Sequence, residues 1–165
     1  MTPGARLQAA AELLDAVWAG AAPPDVLVDD YFRKRRYAGS SDRRAIQERL
    51  YAVLRRRARL LWWVERTGID IGDDSGAPNS RACLIAILAT EDRTSPDEIS
   101  ALFSGERHCP AALSTDEAAL ADGLYGRPLN HHDMPPAVAY EFPAWMEPSL
   151  SEMWGDRLIE EIAAL

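Results

Sequence analysis

The sequence predicts an all-α protein, and three observations carry that prediction. Apolar residues recur at three-to-four spacing through most of the chain, helix-start signals stand in front of the periodic stretches, and only one five-residue segment alternates, weakly. The 165 residues, 47% hydrophobic and 27% charged, suit one soluble globular domain with at most a small appendage. No apolar run approaches the roughly 20 residues that a membrane span needs. Arg6 and Glu12 interrupt the N-terminal stretch, which is no signal peptide. Two cysteines, Cys83 and Cys109, make no disulfide framework. A reduced, cytoplasmic setting with no membrane partner is the simplest reading.

The elements follow in order. Leu7, Ala10, Ala11, Leu14, Val17 and Trp18 share a face over residues 5–19, and Gly20 closes the run. Pro23-Pro24-Asp25 starts a second helix that buries Leu27, Val28, Tyr31 and Phe32 before entering Arg33-Lys34-Arg35-Arg36. A turn at Ala38-Gly39-Ser40-Ser41 follows, with Ser41 or Asp42 as N-cap of the third helix. On a wheel of about 100° per residue, Ile46, Leu50, Val53, Leu54, Leu60, Leu61 and Val64 occupy one arc about 120° wide. Arg44, Arg55, Arg59 and Arg66 lie opposite, and Arg44 and Arg59 would stand about 22 Å apart on that outer face. Arg57 falls inside the apolar arc, so the helix either breaks near residues 56–58 or buries Arg57 with a partner. The break is the simpler solution.

Gly68 to Asn79 is rich in Gly and Asp and reads as an exposed loop. Ala82 to Ala89 is continuously apolar, as a buried central helix would be. Ser95-Pro96-Asp97-Glu98 and Ser114-Thr115-Asp116-Glu117 are two capping boxes, the first with proline at the first helical position. Their helices should end at Ser104-Gly105 and between Gly123 and Gly126. Residues 126–136 form a loop with consecutive prolines, which places a subdomain boundary after residue 126. Val138 to Phe142 fits a short strand or a short helix. Leu158, Ile162 and Leu165 give the last helix its apolar side.

Charge is distributed unevenly. Residues 31–66 carry twelve basic and three acidic side chains, whereas the whole chain has a net charge of −8. Eleven of the twelve are arginine, whose planar fork suits phosphate and whose flat face stacks on bases. Lysine would serve solubility equally well. The pattern points to a polyanion at one place and repulsion elsewhere. Arg33, Lys34, Arg35, Arg36, Arg43, Arg44, Arg55, Arg56 and Arg59 are the candidate RNA-binding residues. The competing reading is a solvated face whose arginines pair with acids elsewhere in the chain.

No catalytic machinery stands out. His131-His132-Asp133, with His108 and Cys109 upstream, matches no standard zinc spacing and reads as a polar loop, so no metal site is assigned. Cys83 reads as a small core residue, and Cys109 has no base beside it in the sequence. The acidic pairs Asp73-Asp74, Glu91-Asp92 and Glu160-Glu161 read as solvated. The glycines of residues 68–76 form no phosphate cradle. Trp62 and Trp63 flank the apolar arc and read as core packing rather than base stacking.

The stretch Arg36-Tyr37-Ala38-Gly39-Ser40-Ser41-Asp42-Arg43-Arg44-Ala45-Ile46, followed by Tyr51, Leu54-Arg55-Arg56 and Trp63, resembles the N-terminal region of bacterial Sun-type (RsmB-like) ribosomal RNA cytosine-C5 methyltransferases. Leu102-Phe103-Ser104-Gly105, Asp133-Met134-Pro135, Pro143 with Trp145, and Gly155-Asp156 fall in the order of that resemblance. It implies a NusB-like helical RNA-binding domain over residues 1–126. A short linking segment over 127–165 would then lead into an S-adenosylmethionine-dependent methyltransferase domain in the same chain. The family's two cysteines, one after proline and one after threonine, have no counterpart here, because Cys83 follows alanine and Cys109 follows histidine. No catalytic or cofactor residue is therefore carried over, and S-adenosylmethionine is expected only for the full-length enzyme. The expected partner is ribosomal RNA. The alternative is a NusB-like protein-interaction adaptor in transcription antitermination.

Overall fold

The structure is a computed structural model, and it describes residues 1–20, 22–68 and 79–163. All regular elements among the described residues are helical, with no strand. The order is α1 (Pro3–Trp18), α2 (Pro24–Lys34), α3 (Ser40–Arg55), α4 (Arg57–Arg66), α5 (Ser80–Thr90), α6 (Pro96–Leu102), α7 (Thr115–Leu124), α8 (Pro136–Ala139), α9 (Glu147–Trp154) and α10 (Leu158–Ala163). No helix among them is long and apolar enough to cross a membrane.

Helix α5 is the axis of the bundle. Ala82 to Ala89 are all buried, and α1, α3, α4, α6 and α7 pack around them. A helix apolar on every side lowers its free energy only when surrounded, so the others supply one apolar stripe each. From α1 come Leu7, Ala10, Leu13 and Leu14, from α3 Ile46, Leu50 and Val53, and from α4 Leu60 and Trp63. Leu54 and Leu61, toward one edge of the expected arc, are only half-buried, and so is Val64 near its middle. At Gly4 a Cβ would stand 2.8 Å from the Leu102 carbonyl oxygen and 2.8 Å from Cys109 Sγ, so α1 needs glycine to approach this loop.

Both capping boxes form as their sequences require, Ser95 with Glu98 and Ser114 with Glu117. The break at 56–58 is real: Arg56 ends α3 and starts α4, and Arg57 is exposed. The outer face is therefore not one straight row. Arg44 and Arg55 lie about 16 Å apart along α3, while Arg59 and Arg66 belong to another helix. Neither Ser41 nor Asp42 caps α3, because Gly39 occupies that position. The Asp42 carboxylate instead takes Arg6 Nε at 2.8 Å and the Met1 amine at 3.2 Å, tying α3 to the start of α1. Those two hydrogen bonds hold Asp42 below the usual carboxylate range.

The expected loop over 68–79 lies outside the described residues except at its ends, where the Asn79 side chain accepts from Ala82 N at 3.0 Å and caps α5. Of residues 138–142, Val138 and Ala139 complete the single turn of α8, and the remainder is turn and irregular chain rather than strand. Past residue 126, part of the chain still touches the main bundle. Met134 joins the main core, Leu129 and Val138 pack against it, and Trp63 Nε1 donates to the Leu129 carbonyl at 2.9 Å.

Candidate nucleic-acid interface

Most arginines of residues 31–66 fall into two groups once each side chain is traced. Some act as clamps. Arg35 lies 3.7 Å over the Tyr31 ring and donates to Glu12 at 3.0 Å, joining α2 to α1. Arg49 reaches Asp92, and Arg56 pairs with Glu91 beyond the end of α5. Arg59 donates through Nε to Glu141 at 2.9 Å and through Nη1 to Asn130 at 2.8 Å. The expectation that Arg59 faces water fails, since both Arg59 and Glu141 side chains are only 18% exposed. Arg35 and Arg56 are likewise half-buried and engaged.

The Arg59 clamp includes a feature that the sequence does not announce. Because α4 starts immediately after a break, its first backbone N–H groups lack intrahelical partners. Glu141 takes two of them, accepting from Ala58 N at 2.8 Å and Arg59 N at 3.1 Å. A carboxylate from the far side of a loop thus caps the helix and meets its positive end. Glu141 reaches this position with a positive φ of 58°, unusual for a residue other than glycine.

The second group surrounds an open cleft of about 790 Å³ between the end of α2 and the start of α3. Arg33 and Arg36 line it from one side and Arg43 and Arg44 from the other, with Ser40, Gln47, Asp29 and Phe32 completing it. The turn between the helices creates this shape. Ala38 is buried and its N–H bonds to the Arg35 carbonyl at 3.0 Å, so Arg36 and Tyr37 are pushed outward. Phe32, also buried, forms the floor, and the Arg43 guanidinium lies 5.4 Å above its ring while donating to the Ala38 carbonyl at 2.9 Å. Ser40 opens α3, so the positive end of a sixteen-residue helix borders the same cleft.

The acids near this cleft do not neutralise it firmly. Arg33 pairs with Asp30 at 2.9 Å and Arg44 with Glu48 at 2.8 Å, and the Arg44 side chain remains 81% exposed. Exposed pairs of this kind contribute roughly 0–1 kcal/mol and exchange readily for a stronger anion. Arg36 has no acidic partner among the described residues, and the same holds for Lys34, Arg55 and Arg57, which are exposed on other parts of the surface.

His131, His132 and Asp133 lie together, their nearest donor atoms within 4.8 Å of one another. The donors are already engaged: Asp133 accepts from Arg66 at 2.9 Å, and His131 Nδ1 accepts from the Asp133 N–H at 3.2 Å. The two imidazoles are stacked on each other. His132 Nε2 also lies 3.0 Å from Asp133 Oδ1. Cys83 is fully buried in α5, and burial pushes its thiol up to about 12, so it is no nucleophile.

Fold and cleft together define an all-helical domain with a concave arginine-lined surface. Comparison with protein-family models, with curated proteins and with solved structures finds no match to this chain.

Proposed function

We propose that this chain is an RNA-binding module whose cleft grips phosphates through Arg33, Arg36, Arg43 and Arg44. The observation that carries the reading is the convergence of four arginines from two helices on one open concavity, beside a helix N-terminus. Guanidinium forks bind phosphate oxygens in pairs, and the acidic remainder of the chain repels RNA from other surfaces. The stretch that resembles Sun-type ribosomal RNA cytosine-C5 methyltransferases, Arg36 to Arg44, supplies three of the four arginines. That supports ribosomal RNA as the ligand and a positioning role for an attached methyltransferase domain, in a cytoplasmic setting. S-adenosylmethionine and the catalytic cysteines belong to that attached domain in this reading.

The test is a salt titration of binding to structured ribosomal RNA. Four phosphate contacts give a plot of log affinity against log salt with a slope of about −3 to −4. Arg36→Glu with Arg44→Glu should abolish binding while helicity is retained, since both residues are exposed. A flat salt response, or charge reversals that leave affinity unchanged, would overturn the reading and favour the adaptor role.

A further inference from the structure

Away from the cleft, three planar rings form a column on the outer side of α4. His132 stacks on His131 with centroids 4.3 Å apart and planes inclined by 27°. His131 in turn faces Trp62, with centroids 5.4 Å apart and an inclination of 32°. Trp63, packed edge-on to both Trp62 and His131, anchors the column in the core. The loop that carries the histidines is held in place by Arg59 on Asn130, Arg66 on Asp133 and Trp63 on the Leu129 carbonyl. The column ends on His132, whose side chain is 84% exposed.

The edge of His132 is engaged, its Nε2 lying 3.0 Å from Asp133 Oδ1, while the outer face of the ring stays open to solvent at the end of the stack. Cations stand beside the tryptophan end of the column. The Arg66 guanidinium lies 4.8 Å from the Trp62 ring centroid and that of Arg127 lies 5.6 Å from the Trp63 centroid. Arg66 and Arg127 also flank a cleft of about 330 Å³ between α4 and α7. Ring faces for a base with guanidinium groups for the adjoining phosphates are the combination by which proteins hold unpaired nucleotides.

We infer that the Trp62–His131–His132 column is a stacking platform for one unpaired RNA base, which lands on the outer face of His132 while Arg66 and Arg127 meet its backbone. This rests on the RNA-binding reading and adds to it a second contact of a different chemistry. The cleft recognises charge, and the platform recognises an unstacked base, so the favoured ligand is a paired stem with a single-stranded flank.

The experiment uses the full chain and a ribosomal RNA hairpin whose single-stranded flank carries 2-aminopurine. Wild type should quench the probe on binding. His132→Ala should lose the quench and weaken affinity roughly five- to hundred-fold, with the salt slope unchanged. His132→Tyr, which keeps an aromatic face, should restore both. A flank with an abasic site in place of the probe should bind wild type and His132→Ala equally. If His132→Ala binds and quenches like wild type while the Arg36→Glu, Arg44→Glu pair abolishes binding, the platform is refuted and the cleft reading stands. If the arginine reversals have no effect while His132→Ala does, the platform stands and the cleft reading fails. Absence of RNA binding by the wild type overturns both.

Discussion

Glu141→Ala gives the most direct test of how the bundle is closed. The substitution removes the acceptor for Ala58 N and Arg59 N at the start of α4 and the partner of the Arg59 guanidinium. Loss of a helix cap costs about 1 kcal/mol, and loss of the negative charge at the helix N-terminus about 0.3–1 kcal/mol. The ion pair is partly shielded from water, at 18% exposure on each side, which places its contribution near about 1 kcal/mol after solvent screening. The total is about 2–3 kcal/mol. At roughly 2–4 °C per kcal/mol for a chain of this size, the melting temperature should fall by about 5–10 °C. Thermal and urea unfolding followed by circular dichroism measure both quantities. Glu141→Gln, which keeps a neutral acceptor, should lose about half as much. The backbone strain at position 141 is common to Glu, Gln and Ala and cancels. Stability of Glu141→Ala within about 0.5 kcal/mol of wild type would show that water caps α4 as well as the carboxylate does.

Three further outcomes are expected. Burial alone would raise the pKa of Glu117, but hydrogen bonds from Arg81 and the Ser114 backbone outweigh it and hold the carboxyl below its ordinary value. Its contribution is therefore complete above the unfolded value of about 4.3 and is lost as pH falls through the lower folded-state value. Glu117→Gln should be less stable than wild type at neutral pH by about 2 kcal/mol, and denaturant titrations should converge as the solution is acidified; a gap that persists in acid contradicts this assignment. Gly4→Ala gains about 0.5–1 kcal/mol of helix propensity but drives a methyl against the Leu102 carbonyl at 2.8 Å. Net destabilisation of about 1 kcal/mol is expected, and a higher melting temperature would show that the loop yields freely. Cys83 should resist thiol reagents in the folded protein and react only at the rate of unfolding, as timed labelling with mass spectrometry can establish; rapid labelling under native conditions would contradict its burial.

Most helices, and the starts of α6 and α7, were legible in the sequence because their causes are local. A serine and a glutamate three residues apart find each other within one turn, as Ser95 and Glu98 or Ser114 and Glu117 do. The periodicity of Ile46, Leu50, Val53 and Leu60 exposes the buried face of α3 and α4 before any partner is known, and misplaced Arg57 betrays the break between them. Even the wealth of arginine near the Ala38 turn is a matter of counting.

What each arginine does was decided elsewhere. Arg59 and Arg44 look equivalent on a helical wheel, yet the first is bound by an acid 82 positions away and the second stands in the open beside a cleft. Likewise, nothing local shows that the histidines of a proline-bounded loop will stack on Trp62. The physical reason is range. Hydrogen-bonded turns and apolar stripes are set by neighbours a few residues apart, whereas the partner of a long charged side chain is whichever group the packed helices bring within about 4 Å of it. Among the twelve cations of residues 31–66, tertiary structure alone separates clamps that hold the bundle from the four that line an open surface.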